Sequence, residues 1–593
     1  MMNHKKYTSI GLSLLVLAGI IMGAALWGKA FYTSIENYRS PLREANLLPQ
    51  PPLTPKIAKV VIVLVSGLGY DASLALNLPA LEQLKQAGAD VAVQSTPPTH
   101  SQTAWATLLT GAPPETNDAP PVDLPPARLR PLEIDTIFAR AHSANLQTAL
   151  LGAAAWRRLI PRNQLDHTFF ADQPGAEADA AIMEAALPII ENDEVDLALI
   201  HFTQVDWAGQ NLGGAESEAY RQAALQVDAY VGQISQAMDL SRMALVVLAD
   251  HGHAPDGGHG GDEVEVIWQP LVIIGRNIIP GSYSDIHQTD LAPTLSTLLG
   301  LAAPGASQGR ILFEMLRLSE RDQALAQLSL AQQRLALAEA YLTLIEGEPT
   351  ALPEAIPADL ARAQTALTAD NISGAFQLAL LTQREADTTT MAARNRRILT
   401  GQWLRLGVAL LVIIIWFTTM WRRRGVHTGS ILIAALLTVA LYHTLYQLQG
   451  HSYSVSALRD FSEWPFDIAR RTAVSLLAGG GLILIFFMLS REEDWLTLLS
   501  TSYGYGLLVT FIFALPLFWA FWQNGFTATW YLPAILPAFW QITGLLEVMI
   551  AAILGILLPW PIMTLTLFVN LIRRRLDETR ARAESDALPG LHL

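Results

Sequence analysis

Val246-Val-Leu-Ala-Asp-His-Gly-His-Ala-Pro-Asp-Gly-Gly-His-Gly-Gly-Asp262 joins an apolar run to a glycine-rich turn rich in imidazoles and carboxylates. A buried strand that ends in Asp250-His251, followed by a loop that delivers His259, is one way to hold a metal ion. Carboxylate and imidazole are ligands that divalent zinc accepts, and the glycines let backbone approach whatever is bound. The competing reading is a polar Gly/His-rich surface loop.

Working outward, the strand at 246–249 is one of a series. Lys59-Val-Val-Ile-Val-Leu-Val65 is apolar on both faces, and strand-like runs recur at Thr148–Leu151, Asp196–Phe202, Met243–Ala249 and Pro270–Gly275. Helical patterns lie between them, at Ala72–Ala87, Glu133–His142, Ala176–Ile190 and Glu216–Met238. Strands apolar throughout and separated by helices predict an α/β domain, with a parallel-rich sheet sandwiched by helices. In such a sheet chemistry gathers at the carboxyl ends of the strands. That rule puts Ser66, Asp206 and Asp250-His251 on one rim.

Two further stretches carry chemistry. Pro97-Pro-Thr-His-Ser-Gln-Thr-Ala-Trp-Ala-Thr-Leu-Leu-Thr-Gly111 runs from a Pro/Thr loop into a helix beginning near Ser101. A hydroxyl at a helix amino terminus meets free backbone donors and a dipole that favours an anion; a metal that lowers its pKa makes it a nucleophile. An ordinary helix cap is the alternative. In His201-Phe-Thr-Gln-Val-Asp-Trp-Ala-Gly-Gln-Asn211, Asp206 is the natural ligand and His201 reads better as a core histidine within the strand.

In this order, and with Thr289-Asp-Leu-Ala-Pro-Thr-Leu-Ser-Thr-Leu-Leu-Gly-Leu301 as a closing helix, the motifs resemble the alkaline phosphatase superfamily. The likeness covers about 58–312 and points to the phosphodiesterase, nucleotide pyrophosphatase and phosphoethanolamine-transferase branches. The resemblance implies two divalent metals, usually zinc. It assigns one to Ser66, Ser101, Asp250 and His251 and the other to Asp206, Gln210 and His259, with Ser101 as nucleophile. Asp206, Asp250, His251 and His259 match the family's ligands. Ser66 stands where the family has an acid and Gln210 where it has a histidine, so each site lacks one ligand.

Two divalent ions about 4 Å apart repel by on the order of 16 kcal/mol at an effective dielectric near 20. Carboxylates offset that repulsion, and only Asp206 and Asp250 remain among the matched ligands. Asp71, His100, His253, Asp256 and Asp262 are the neighbours that could compensate; His253 and Asp256 read as residues lining the loop.

Composition sets the rest. The chain has 593 residues, 51% of them hydrophobic, with a net charge of -14 and no cysteine. Disulfides, thiolate metal sites and a cysteine nucleophile are excluded. With no basic stripe to neutralise phosphates, a nucleic-acid partner is excluded too. Lys5 and Lys6 precede an uncharged run of 18 residues, Ile10 to Trp27, which predicts a signal-anchor helix within residues 1–30 rather than a cleaved leader ending at Ala30. Residues 31–57 read as a Pro-rich linker, 58–317 as the α/β domain and 318–400 as a helical hairpin or stalk, its helices at Ser319–Ile345 and Ala358–Glu385.

Apolar runs at 403–421, 429–447, 472–490, 499–522 and 548–571 make 401–575 an all-α transmembrane domain of five helices, with 576–593 as a cytoplasmic tail. The clusters Arg422–Arg424 and Arg573–Arg575 orient it. The expectation is a multi-pass protein of the cell membrane with about six spans and residues 31–400 extracytoplasmic, although Arg394, Arg396, Arg397, Arg470 and Arg471 then fall near the outer face. Residues 531–547 read as an interfacial or re-entrant segment, and the bundle as an anchor, since no ladder of buried charges marks an ion path.

The layout resembles that of the GPI ethanolamine-phosphate transferases. The expected function is a phosphoric ester hydrolase or phosphotransferase with a Ser nucleophile and a divalent metal, acting on a phosphoester or lipid-headgroup substrate. The alternatives are a catalytically inactive relative serving as a surface binding or scaffold protein, and a membrane assembly or transport role centred on 400–571.

Overall fold

The computed structural model describes residues 2–45, 47, 50–191, 195–421, 427–458, 463–529 and 535–586. At its centre is β1 (Lys59–Val65), buried at every position. Val60, Ile62 and Leu64 enter one hydrophobic core, and Val61, Val63 and Val65 enter the other. An all-apolar strand is what two covered faces require.

In chain order the other strands are β2 (Ala89–Gln94), β3 (Thr148–Ala153), β4 (His167–Ala171), β5 (Leu197–Phe202), β6 (Met243–Leu248), β7 (Trp268–Gly275) and the short β8 (Gly281–Ser282) and β9 (Ile286–His287). The sheet runs β4-β3-β5-β1-β6-β7-β2-β8, with β9 also on β2. β1 lies parallel between β5 and β6, Val63 opposite Ile200 and Val247. β7 is antiparallel to both β6 and β2. The sheet is therefore mixed but mostly parallel, and helices cover it as expected.

Because β5, β1 and β6 are adjacent and parallel, Ser66, the helix Gln204–Asn211 and Asp250-His251 all leave the same edge. Of the four strands the sequence did not reveal, β8 and β9 are two residues long, and β2 and β4 mix polar and apolar residues (ADVAVQ, HTFFA), as strands away from the sheet's centre do. The single helix expected at 72–87 is broken into Tyr70–Ala75 and Pro79–Ala87, because Pro79 starts a new helix.

The stretch read as a linker is not free. The first helix runs from Met2 to Glu36, past the apolar run, and Phe31 and Ile35 join the domain core. Beyond it Ser40 N donates to Asp118 Oδ1 at 2.8 Å, and Tyr38 OH donates to Glu115 O at 2.5 Å.

The hairpin is three helices, Glu320–Glu346, Ala355–Thr368 and Ile372–Trp421. The break after Thr368 comes from Asp370 in the left-handed region, φ 62°, and Asn371, whose side chain accepts from Gly374 N. The last of the three has 50 residues, about 75 Å of continuous helix, and carries the stalk straight into the apolar bundle.

Among the described residues six stretches are long and apolar enough to cross a membrane: Lys6–Glu36, Ile372–Thr418, Thr428–Leu448, Trp464–Ser490, Trp495–Asn524 and Leu536–Glu584. The number agrees with the sequence expectation. The segment expected to be interfacial belongs instead to the helix Ile535–Leu557 from residue 535 onward; residues 531–534, the cluster Arg422–Arg424 and the tail beyond 586 lie outside the described residues.

Three of the five arginines that strained the topology, Arg394, Arg470 and Arg471, have acidic partners. Arg394 pairs with Glu115 at 2.8 Å, and Arg470 and Arg471 with Asp467 at 2.8 and 2.6 Å. The connection after Leu448 reaches the glycine-rich loop itself: Ser456 Oγ accepts from Gly261 N at 2.9 Å and donates to Glu263 Oε2 at 2.8 Å.

Candidate active site

The rim assembles Ser66, Ser101, Asp206, Gln210, Asp250, His251 and His259, and it adds His253. Asp250, two residues beyond the end of β6, has no exposure and takes four donors. Gly67 N and His251 N donate to Oδ1 at 3.0 and 2.9 Å; Ser66 Oγ and Trp105 Nε1 donate to Oδ2, each at 2.8 Å. Each such bond to a charged acceptor is worth about 1.5–3 kcal/mol. Ser66 thus stands as a neutral donor to the carboxylate, and Trp105, inside the buried helix Ser101–Thr110, completes its shell. Trp105 stacks on Trp156 at 4.4 Å, and Trp156 Nε1 donates to His201 Nδ1 at 3.1 Å. Burial pushes His201 down to about 4, so it is a neutral core histidine behind the site, as its place in the strand predicted.

Ser101 is the first residue of its helix, and His100, not Ser101, is the cap residue. The serine hydroxyl instead lies 2.9 Å from His251 Nε2. His251 Nδ1 sits 3.0 Å from Gly252 O, which fixes the proton on Nδ1 and leaves a lone pair on Nε2 facing the site.

Asp206 rides on the helix Gln204–Asn211. Asp179 holds that helix by accepting from Thr203 N, Thr203 Oγ and Gln204 N at 2.8, 3.0 and 3.0 Å. Around Asp206 Oδ1 stand His253 Nε2 at 3.0 Å, His259 Nε2 at 3.8 Å and His251 Nε2 at 4.0 Å. Burial works to raise the Asp206 carboxyl, but the imidazoles, His253 foremost, outweigh it and hold the group well below the usual carboxylate range. The rings of His251 and His259 stack at 4.1 Å.

Gln210 Nε2 lies 2.9 Å from both Asp206 oxygens and from His259 Nε2. Its amide donates into the acceptors that the family's histidine would help turn toward an ion. His253 was the residue set aside from sequence as loop lining. It is buried because two glycines leave it room: a Cβ at Gly67, where φ is +80°, would fall 2.6 Å from His253 Nε2, and one at Gly209 2.8 Å from the ring.

Asp71 is exposed on the helix Tyr70–Ala75 and Asp262 is exposed beside the loop, so neither enters the site. His100 meets Asp123 at 3.3 Å. Among the described residues two groups of side chains have ligand atoms within 4.8 Å of one another, Asp206 with His251 and His253, and His100 with Asp123 and His259. Each offers one carboxylate and two imidazoles, a set that fits a divalent cation, and the first is the more buried.

A cavity of about 1260 Å³ opens beside this rim, from Gln210 and Asp256 to Tyr442, Arg471, Trp540 and Glu547 of the bundle. Tyr442 OH bonds to Glu547, and Arg471 lies over the rings of Tyr446 and Tyr442 at 4.7 and 5.4 Å. Arg471 and Glu547 are 4% and 3% exposed. No sequence motif announced this cavity, because its lining comes from helices far apart in the chain.

In motif order and in its mostly parallel sheet the chain resembles the alkaline phosphatase superfamily in its phosphodiesterase and nucleotide pyrophosphatase branch. Residues 139–265 match the family Type I phosphodiesterase / nucleotide pyrophosphatase. The catalytic subunit of GPI ethanolamine phosphate transferase 2 of Homo sapiens is 26% identical over 292 residues, 46% of this chain and 29% of that protein. That of transferase 3 of Homo sapiens is 26% identical over 307 residues, 46% of this chain and 28% of that protein. The matches thus span less than a third of these relatives' length.

Among solved structures, murine ectonucleotide pyrophosphatase/phosphodiesterase 5 covers 41% of this chain and 96% of its own, with 14% identity and a TM-score of 0.35. An alkaline phosphatase superfamily protein from Vibrio parahaemolyticus covers 50% and 81%, with 19% identity and a TM-score of 0.36.

Proposed function

We propose that this chain is a membrane-embedded phosphoester transferase or hydrolase in which Ser101 is the nucleophile and the phosphoester is borne on a lipid. The observation that carries the reading is the Ser101 hydroxyl, held 2.9 Å from His251 Nε2 at the start of a buried helix. The Ser101 Oγ–phosphorus bond forms as the ester P–O bond breaks, and the departing alcohol carries off the proton that Ser101 gives up. An acceptor hydroxyl or water then attacks the phosphoserine and frees Ser101.

Asp206, His251 and His253 would hold a divalent cation, zinc by ligand chemistry. Such an ion supplies charge to the phosphoryl oxygens and lowers the pKa of a neighbouring hydroxyl. The named relatives transfer ethanolamine phosphate. The cavity leading from Gln210 into the bundle supports a substrate of similar kind, its headgroup at the rim and its chains among Phe539, Trp540 and Trp464. The reading places the domain on the extracytoplasmic face of the cell membrane.

A second reading, a scaffold without catalysis, is favoured by one specific feature. Asp250, a ligand in the resemblance, is saturated by four donors.

Turnover of a chromogenic phosphodiester and phosphomonoester by the full chain in lipid nanodiscs separates the two. Activity lost in Ser101→Ala supports the enzyme. Folded protein with no turnover of these esters or of phospholipid supports the scaffold.

A further inference from the structure

We infer that the rim is a one-ion site whose ligands are Asp206, His251 and His253. In this arrangement His253 replaces the ligand missing at position 210, and Asp250 has left the coordination shell to become part of the framework. The inference deepens the proposed function and rests on it for the ion's role, but its geometry stands separately.

Both imidazoles are prepared in the same way. His253 Nδ1 lies 2.9 Å from Gly257 O and His251 Nδ1 3.0 Å from Gly252 O. Each carbonyl holds a proton on Nδ1, so each Nε2 presents a lone pair. A backbone acceptor behind the ring is the usual outer partner of a metal-ligating histidine, because it fixes tautomer and orientation together. His253 Nε2 is buried with no hydrogen-bond partner, yet it lies 3.0 Å from Asp206 Oδ1. Two lone pairs at that separation repel unless a proton or a cation lies between them. His251 Nε2 is 4.0 Å from the same oxygen, so one ion reaches all three.

At the two positions the resemblance assigns, a second ion is opposed on two grounds. Ser66 brings no charge, and both oxygens of Asp250 are already filled by uncharged donors. At the position of Ser66 and Asp250 the two-ion repulsion, on the order of 16 kcal/mol, would meet no free carboxylate. At the other position the Gln210 amide directs its N–H groups at Asp206 and His259, where a cation would have to approach.

The test is metal content. Full-length protein in nanodiscs is stripped with chelator, reloaded with zinc or cobalt, washed and analysed by plasma mass spectrometry, with the cobalt absorption spectrum as a second readout. The expectation is one ion per chain and a cobalt spectrum of low coordination number. In His253→Ala, zinc affinity should fall more than ~100-fold, since loss even of an outer partner costs 10–100-fold. Ser66→Ala should keep one ion.

Two ions per chain, no ion, or undiminished binding by a folded His253→Ala would overturn the inference. If His253→Ala does not fold, the wild-type stoichiometry still decides. The two proposals fail separately: Ser101-dependent turnover by a metal-free or two-ion protein sinks this inference alone, and one ion without turnover sinks the enzyme reading alone.

Discussion

Ser66→Asp restores the acid that the superfamily places at the end of the first strand, and it should destabilise this protein. Ser66 Oγ lies 2.8 Å from Asp250 Oδ2, and both residues are buried, at 2% and 0% exposure. The substitution removes a donor to a charged acceptor, worth about 1.5–3 kcal/mol, and sets a second carboxylate against the first. With charge centres about 4 Å apart and an effective dielectric near 20, the repulsion is about 4 kcal/mol. The pair can escape it by keeping one proton, so the damage should be large at pH 8 and small at pH 5.

For a domain of this size a loss of about 4 kcal/mol lowers the melting temperature by roughly 10 °C. The assay is thermal unfolding of the full chain in nanodiscs with chelator at both pH values, beside Ser66→Ala as the control for the lost donor alone. If Ser66→Asp melts with the wild type at pH 8 in chelator, Asp250 is not the saturated framework carboxylate described here, and the argument fails.

Four further outcomes follow from particular contacts. Burial pushes the Asp179 carboxyl up to about 6. A folded pKa above the unfolded value near 3.9 gives stability that is full below about pH 4 and lost as pH rises through 6, on the order of 3 kcal/mol. Asp179→Asn should flatten that slope in chemical denaturation measured from pH 4 to 7. Gly209→Ala would place a Cβ 2.8 Å from the His253 ring, so it should displace that ring and weaken zinc binding at least ~10-fold by equilibrium dialysis. Glu547→Gln, at the far end of the cavity, should cut turnover of a lipid phosphoester about 10-fold, the effect of roughly 1.4 kcal/mol of lost binding, and leave a soluble chromogenic ester unaffected in parallel assays. Ser456→Ala removes the contacts to Gly261 N and Glu263, about 1 kcal/mol, and should speed hydrogen exchange of Gly261 in the glycine-rich loop.

The readable parts of this chain were those where one local pattern decides one local outcome. Lys59–Val65 is apolar on both faces because neighbours cover both, and its parallel partners Leu197–Phe202 and Met243–Leu248 announce themselves in the same way. Once those three lie side by side, the rim carrying Ser66, Asp206 and Asp250 follows from direction alone. The spans, too, follow from length and hydropathy.

The unreadable parts were set by tertiary context. His253 looked like loop lining because nothing local says that Gly67 and Gly209, each far away in sequence, clear a space for its ring. Trp105 gave no sign of being a donor, since its indole finds Asp250 across 145 positions. Residues 31–45 read as linker because the prolines of 41–57 are visible and the burial partners of 31–45 are not. The cavity has no motif at all, as Gln210, Tyr442, Arg471 and Glu547 come from four separate helices.

The central claim is that Ser101 takes up the phosphoryl group. The most direct measurement is to mix full-length protein in nanodiscs with an activated phosphodiester, quench in acid within the first turnover, digest, and map the adduct by tandem mass spectrometry. The account predicts a phosphoryl or phosphoester mass addition on Ser101, absent from Ser101→Ala and chased away by an acceptor alcohol. Turnover that persists in Ser101→Ala, or an adduct on any other residue, would contradict it.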